Sequence, residues 1–254
     1  MRVTLAIALN TFRETIRNSV LYNILLVAVA ALGLTLTFGD LSPFSRVQIL
    51  TDFGLASMSV TGLLLAVFIG VGMLGGEISS KTVYSVLTKQ VSRESFITGK
   101  FFGLLSILLL NFFLIAVIFF VFIKILGVNP SYSLFTAVLL LAVEMSIIIS
   151  ASILFSSFTT PTLAAIFTIG FYIAGHLNNL VGIGAQQQRS TLWKTLLNFL
   201  YYTLPDLEHF NVRTRLIYDL PIPDGYIGQT IMYGICYTVL LLFLSMIVFS
   251  KKDL

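Results

Sequence analysis

Glu144 carries the strongest chemical signal in this sequence, because it stands inside the apolar run Leu134 to Phe158, where fourteen residues are Leu, Ile, Phe or Val. An acid at mid-span in hydrocarbon costs about 2.5–3.5 kcal/mol, and each such neighbour returns about 0.3–0.6 kcal/mol. The run therefore inserts, provided that Glu144 faces protein or water. Two readings follow: a group on a translocation path or subunit interface, or a protonated side chain hydrogen-bonded to a neighbouring helix. His176, with Asn178 and Asn179, ends the next apolar stretch, where such groups either meet water or hold a ligand. Gly62, Ala66 and Gly70 recur at four-residue intervals and let another helix approach closely. Gly70, Gly72 and Gly75 spell GxGxxG, but no strand precedes them, so a dinucleotide site is rejected. No metal-ligand spacing, Ser/His/Asp set or basic aromatic stripe is present. The chain is thus expected to have no catalytic site, no cofactor of its own and no nucleic-acid partner.

The elements that position these groups follow from composition. Of 254 residues, 57% are hydrophobic and 10% charged, whereas soluble domains carry about 25% charged residues. Too few charges remain to cover a soluble core. Aromatic content of 13% excludes disorder, and a single cysteine, Cys236, excludes a disulfide scaffold. Six stretches are long enough to cross a hydrocarbon layer of about 30 Å: 20–38, 53–74, 101–126, 134–158, 162–181 and 227–249. Pro161 separates the fourth from the fifth, since the residue before a proline avoids helical geometry. The expected fold is all-α, a polytopic membrane protein forming one domain over 1–254, with a cytoplasmic segment 75–100 and an outer connection 182–226. No remaining piece is large enough for a soluble domain, and Gly99-Lys100 lacks the upstream glycine of a Walker A motif.

Charge sets the orientation. With six spans the termini share one side, which holds nine Lys and Arg residues against six on the other. The positive-inside rule places both termini in the cytoplasm of a cell membrane. A cleaved signal peptide is disfavoured, because Ala28 and Ala30 lie within the apolar run rather than after it.

Three segments outside the spans have helical patterning. In Thr4 to Arg17, Leu5, Leu9, Phe12 and Ile16 form a narrow apolar stripe opposite Asn10, Arg13, Glu14 and Arg17. This predicts an amphipathic interfacial helix, serving as an anchor or also meeting a cytoplasmic partner. Between the second and third spans, Val83, Val86, Leu87 and Val91 predict a short amphipathic helix with Glu77, Lys81, Lys89 and Arg93 around it. In the outer connection, Trp193, Leu197, Leu200 and Leu204 predict an interfacial helix ending at Pro205.

The run Glu77 to Lys100, with Lys81-Thr82, Val86-Leu87, Lys89, Val91-Ser92-Arg93, Phe96 and Gly99-Lys100, resembles the cytoplasmic connection of ABC-2-type transporter permeases. Asn10-Thr11-Phe12-Arg13-Glu14 with Arg17 is similar to that family's first helix. Pro205 to Asn211 is similar to its long outer loop, and Phe249 to Leu254 to its basic tail. Gln90 departs from the pattern, where many relatives have proline. The likeness extends to the kind of permease found in the nitrous oxide reductase maturation transporter. It implies that segment 75–100 is a coupling helix docking on a separate ATPase subunit, with Glu77, Ser80, Lys81, Thr82 and Arg93 as contact residues. It also implies two ATPase copies binding ATP and magnesium, a second permease, expected to be an identical copy, and export by alternating access. A solvated loop whose charges only set topology is the competing account of 75–100. An ATP-independent transporter or channel, with Glu144 and His176 as a proton relay, is the competing function. An ABC complex that transmits force without moving a substrate is also compatible with the sequence.

Overall fold

The computed structural model describes residues 2–40, 46–79, 92–125, 132–187, 190–213, 215, 220 and 223–251, and among them every regular element is helical. Helix α1 is Arg2–Ile16 and α2 is Ser19–Asp40. Helix α3, Arg46–Leu65, runs through a π-helical turn, Ala66–Val71, into α4, Gly72–Ser79. Helices α5, Arg93–Ile125, and α6, Tyr132–Phe158, are the longest. Then come α7, Pro161–His176; α8, Asn178–Gln187; α9, Thr191–Thr203; a 3-10 turn, Leu207–Phe210; and α10, Tyr226–Ser250.

Among the described residues four continuous helical stretches are long and apolar enough to cross a membrane: Gln48–Val71, Arg93–Lys124, Ser133–Phe158 and Tyr226–Ser250. The number rises to six if each of two bent helix pairs also crosses, α1 with α2 (63°) and α7 with α8 (66°). The chain is an all-α polytopic membrane protein. Backbone polar groups without water must bond internally, and helices achieve this within one segment.

Helix α6 is the centre of the bundle and packs against α10, α7, α5, α3 and the π turn. Its neighbours each bury one stripe. On α10 that stripe is Thr230, Gly234, Thr238, Leu241, Leu242, Ser245 and Phe249, while Met232, Val239 and Phe243 face outward. Such outward apolar residues suit lipid, and the small inward ones let backbones approach. The seam is polar in detail: Ser146 Oγ lies 3.2 Å from Thr238 Oγ1 and Ser157 Oγ 3.3 Å from Ser245 Oγ. On α6 these serines also donate to their own helix, Ser146 to the Val143 carbonyl at 2.6 Å and Ser157 to that of Leu154 at 2.6 Å.

The glycines of the second apolar stretch meet α6 and α5. A methyl group on Gly62 would sit 2.7 Å from Met145 Cγ and 2.9 Å from Phe112 Cζ, and one on Gly70 would sit 2.5 Å from Ser152 Oγ. Ala66, at the start of the π turn, is buried. A π turn takes about one more residue than an α-helical turn, and here it packs on α6, with Gly70 against Ser152.

Helix α1 differs from its sequence pattern. Leu5 and Leu9 are exposed, whereas Thr11 and Thr15 are fully buried. Helix α5 receives the first of them: Gly99 lies against Ile7 and the Thr4 carbonyl, and Gly103 against Thr11 and the Ala8 carbonyl, while Thr15 meets Met73 of α4. Thr15 donates to the Thr11 carbonyl at 2.8 Å, which leaves its burial free of an unmet hydroxyl. The apolar stripe therefore faces outward at its start, as an interfacial helix requires.

The fifth apolar stretch is bent rather than straight. Pro161 opens α7 after an extended Thr160 (ψ 155°), and Leu177 (ψ 5°) turns the chain by 66° into α8. The turn follows from its neighbours: Gly175 packs under Leu207 and the Pro205 carbonyl, and His176 is held by acids on both sides. The chain then folds back, since Tyr201 of α9 covers Gly182 of α8. Leu192, Trp193, Phe199 and Tyr202 stay exposed on α9.

Candidate functional site

Glu144 is fully buried, projecting from α6 toward the bend between α7 and α8. Its Oε1 lies 3.0 Å from His176 Nε2, and His176 Nδ1 lies 3.4 Å from Glu208 Oε2. Glu208 belongs to the 3-10 turn, and its Oε1 accepts from Asn211 Nδ2 at 2.9 Å. Three elements far apart in sequence thus form one run of acid, imidazole and acid. The imidazole is fixed by the edge of Tyr172 (centroids 4.6 Å), whose hydroxyl meets Ser59 Oγ of α3 at 2.7 Å.

Arg213 completes the cluster, with Nη2 donating to the Leu55 carbonyl of α3 at 3.2 Å. Glu144, Tyr172, His176, Asn211 and Arg213, with Leu141, line a cavity of about 240 Å³. Glu144 Oε2 and Arg213 Nε are buried without a protein partner. A buried carboxylate oxygen and guanidinium nitrogen each require a polar neighbour, and a cavity of this size holds several waters, each occupying about 30 Å³.

The local sequence explains how the turn presents Glu208. Asp206 Oδ1 accepts from the Glu208 backbone N–H at 3.1 Å, which is an N-cap of the short 3-10 helix. Three tyrosines secure the connection to the bundle. Tyr233 accepts from the Asp206 backbone N–H at 2.9 Å, Tyr226 donates to the His209 carbonyl at 2.8 Å, and Tyr237 donates to that of Thr203 at 2.7 Å. Glu208, Asn211 and Arg213 were not singled out by sequence spacing; an acid inside the conspicuous Pro205–Asn211 stretch was the available signal.

At the opposite end, the residues expected to contact an ATPase are only partly within the described residues. Glu77 lies in the last turn of α4, and Ser80, Lys81 and Thr82, like the predicted helix over 83–91, lie outside the described residues. Arg93 opens α5, and its Nη1 donates to the carbonyls of Phe249 at 2.8 Å and Ser250 at 2.9 Å. A cation on the last carbonyls of α10 satisfies orphan acceptors and complements the helix dipole. Phe96 stacks on the buried Phe249 ring (5.7 Å, 16°), and Lys100 Nζ lies 5.7 Å over Phe96. The chain leaving segment 75–100 is thereby fastened to the end of α10. The glycine stripe Gly62, Ala66 and Gly70 meets α6 and α5, away from both ends.

Among the described residues no group of three or more His, Cys, Asp or Glu side chains could hold a metal ion. Bent helices, an exposed apolar exterior and a polar cluster held between helices and the 3-10 turn define a polytopic membrane protein. Its family is explicit: the chain belongs to the ABC-2 family of transporter proteins, whose description, "ABC-2 family transporter protein", matches residues 5–254. It is the membrane permease component of an ABC transporter and is not itself catalytic. No individual curated protein matches it.

Proposed function

We propose that this chain is the membrane half of an ATP-driven exporter in the cell membrane, with both termini in the cytoplasm. Two copies pair around the pathway, and two copies of a separate ATPase subunit bind ATP and magnesium and dock on segment 75–100. Family membership over 5–254 is the observation that carries this reading.

The proposed stroke enters through Glu77, Ser80, Lys81, Thr82 and Arg93. Movement of that segment on ATP binding shifts the start of α5, and Arg93 carries the shift to the end of α10. Helix α10 packs along α6, which holds Glu144 beneath the outer connection. Glu144 then stands on the pathway side of the outer closure, and Gly62, Ala66 and Gly70 keep the second span close enough to α6 to follow it.

Purification of the chain from its native membrane tests this reading. An ATPase subunit is expected to co-purify, and Lys81→Glu with Arg93→Glu is expected to release it. Repeated isolation of the permease without any nucleotide-binding subunit would remove the proposal. The linked pair Glu144–His176 favours a second reading, an ATP-independent transporter with Glu144 as its proton site. Proton-driven flux in liposomes holding this chain alone would support it.

A further inference from the structure

His176 presents both ring nitrogens to carboxylate oxygens, at 3.0 Å on the Glu144 side and 3.4 Å on the Glu208 side. A neutral imidazole has one N–H and one lone pair, so it cannot donate to two ionised acids at once. Both contacts are hydrogen bonds only if the trio holds one proton more than a neutral ring and two carboxylates. The proton sits on the ring, which then donates twice, or on one of the acids: on Glu144, donating to Nε2 while Nδ1–H donates to Glu208, or on Glu208, donating to Nδ1 while Nε2–H donates to Glu144. When it leaves, one nitrogen lone pair faces a carboxylate lone pair and that contact opens. The weaker side is Glu208, whose contact is the longer and whose side chain is 42% exposed, against 1% for Glu144.

We propose that Glu144, His176 and Glu208 together bind one exchangeable proton, and that this proton fastens the 3-10 turn of the outer connection to the membrane bundle. The site is a proton-held latch, and it rests on the proposed orientation only in facing the outer side. The cavity of about 240 Å³ beside Glu144 and His176 gives water a place from which to exchange the proton.

The other groups facing the trio are few. Among the described residues Arg213 also acts on Glu144 as a cation, and it is tied to the Leu55 carbonyl. Tyr172 packs its ring on His176 and spends its hydroxyl on Ser59. Asn211 occupies Glu208 Oε1, and Asp206 with His209 form their own pair at 3.0 Å. None of these supplies a second proton donor to His176 Nδ1. Loss of the proton therefore loosens the turn as pH rises, while the tyrosine bonds and the buried Leu207 and Phe210 keep it in place.

Hydrogen–deuterium exchange of the full chain in lipid nanodiscs, with whatever subunits co-purify, tests the latch. Protection of backbone amides 206–213, corrected for intrinsic exchange rates, is expected to fall roughly ten-fold between acidic and alkaline pH, the worth of one charge-assisted hydrogen bond. Glu208→Gln should abolish that dependence while keeping protection high, because its amide donates to the Nδ1 lone pair and Nε2–H remains for Glu144. Glu208→Ala should lower protection at every pH. A flat wild-type profile, or a Glu208→Gln profile that still falls with pH, would overturn the proposal. Should Glu208→Gln fail to fold, the profile of His209→Gln, which lacks the neighbouring His209–Asp206 pair, decides instead: it should still fall with pH, and a flat profile would overturn the proposal. These outcomes leave ATP-driven export standing, and isolation without an ATPase leaves the latch standing.

Discussion

Arg93 and Phe249 meet twice: the guanidinium donates to the Phe249 carbonyl at 2.8 Å and lies 6.0 Å over its ring. Arg93 begins helix α5 within segment 75–100, and Phe249 is at the end of α10, so this side chain, together with the Phe96–Phe249 stack, ties the two helices to each other.

Arg93→Ala is therefore expected to destabilise the chain by about 1–3 kcal/mol, the worth of charge-assisted hydrogen bonds at a helix C-terminus. Arg93→Lys should recover part of this, because an ammonium lacks the planar fork. Thermal unfolding in detergent measures both. If Arg93 served only an ATPase contact, neither substitution would move the unfolding temperature of the isolated chain.

Gly103→Ala should weaken the packing of α1 on α5 by about 1–3 kcal/mol. Its methyl would lie 2.9 Å from the Ala8 backbone carbonyl, which cannot move aside alone. Gly70→Ala should cost about 1 kcal/mol or less, since it meets a serine hydroxyl that can rotate. The order of the two unfolding temperatures checks the argument.

Glu144→Gln should preserve the fold, because an amide can still bond His176 Nε2 without burying a charge. Glu144→Leu should cost about 1–3 kcal/mol, because the half-buried His176 ring loses its acid partner. If Glu144 also acts in transport, Glu144→Gln will change stimulation of the partner's ATPase. Unchanged stimulation and transport would confine Glu144 to a structural role.

Tyr237→Phe is expected to cost about 0.5–1.5 kcal/mol by freeing the Thr203 carbonyl. The effect should be local. Exchange at the end of α9 should quicken, while amides of α6 keep their protection.

The fold class was legible because lipid leaves so few options: long apolar stretches, few charges and a proline between the fourth and fifth. The side of α1 that packs was not legible, because the usual inward apolar rule fails where the outside is itself apolar. Leu5 and Leu9 face out, while Thr11, polar by type, fits the hollow at Gly103 and Thr15 is buried against Met73 of α4. Glu144 could be found from its cost, since a lone acid in such a run must have a reason. Its partner Glu208 could not, because it lies on a short turn where no periodicity records which helix is below. His176 is legible only as a polar residue at the end of a span, and the packing of α7 on α6 brings it over Glu144.

The serines of α6 spend their hydrogens on carbonyls of their own helix, and their links to α10 are the longer ones. Shape, more than polarity, keeps these two rods together. A rod that turned or slid along its neighbour would strand no hydroxyl of α6 in oil, so the interface tolerates motion that a tight ladder of crosslinks would forbid.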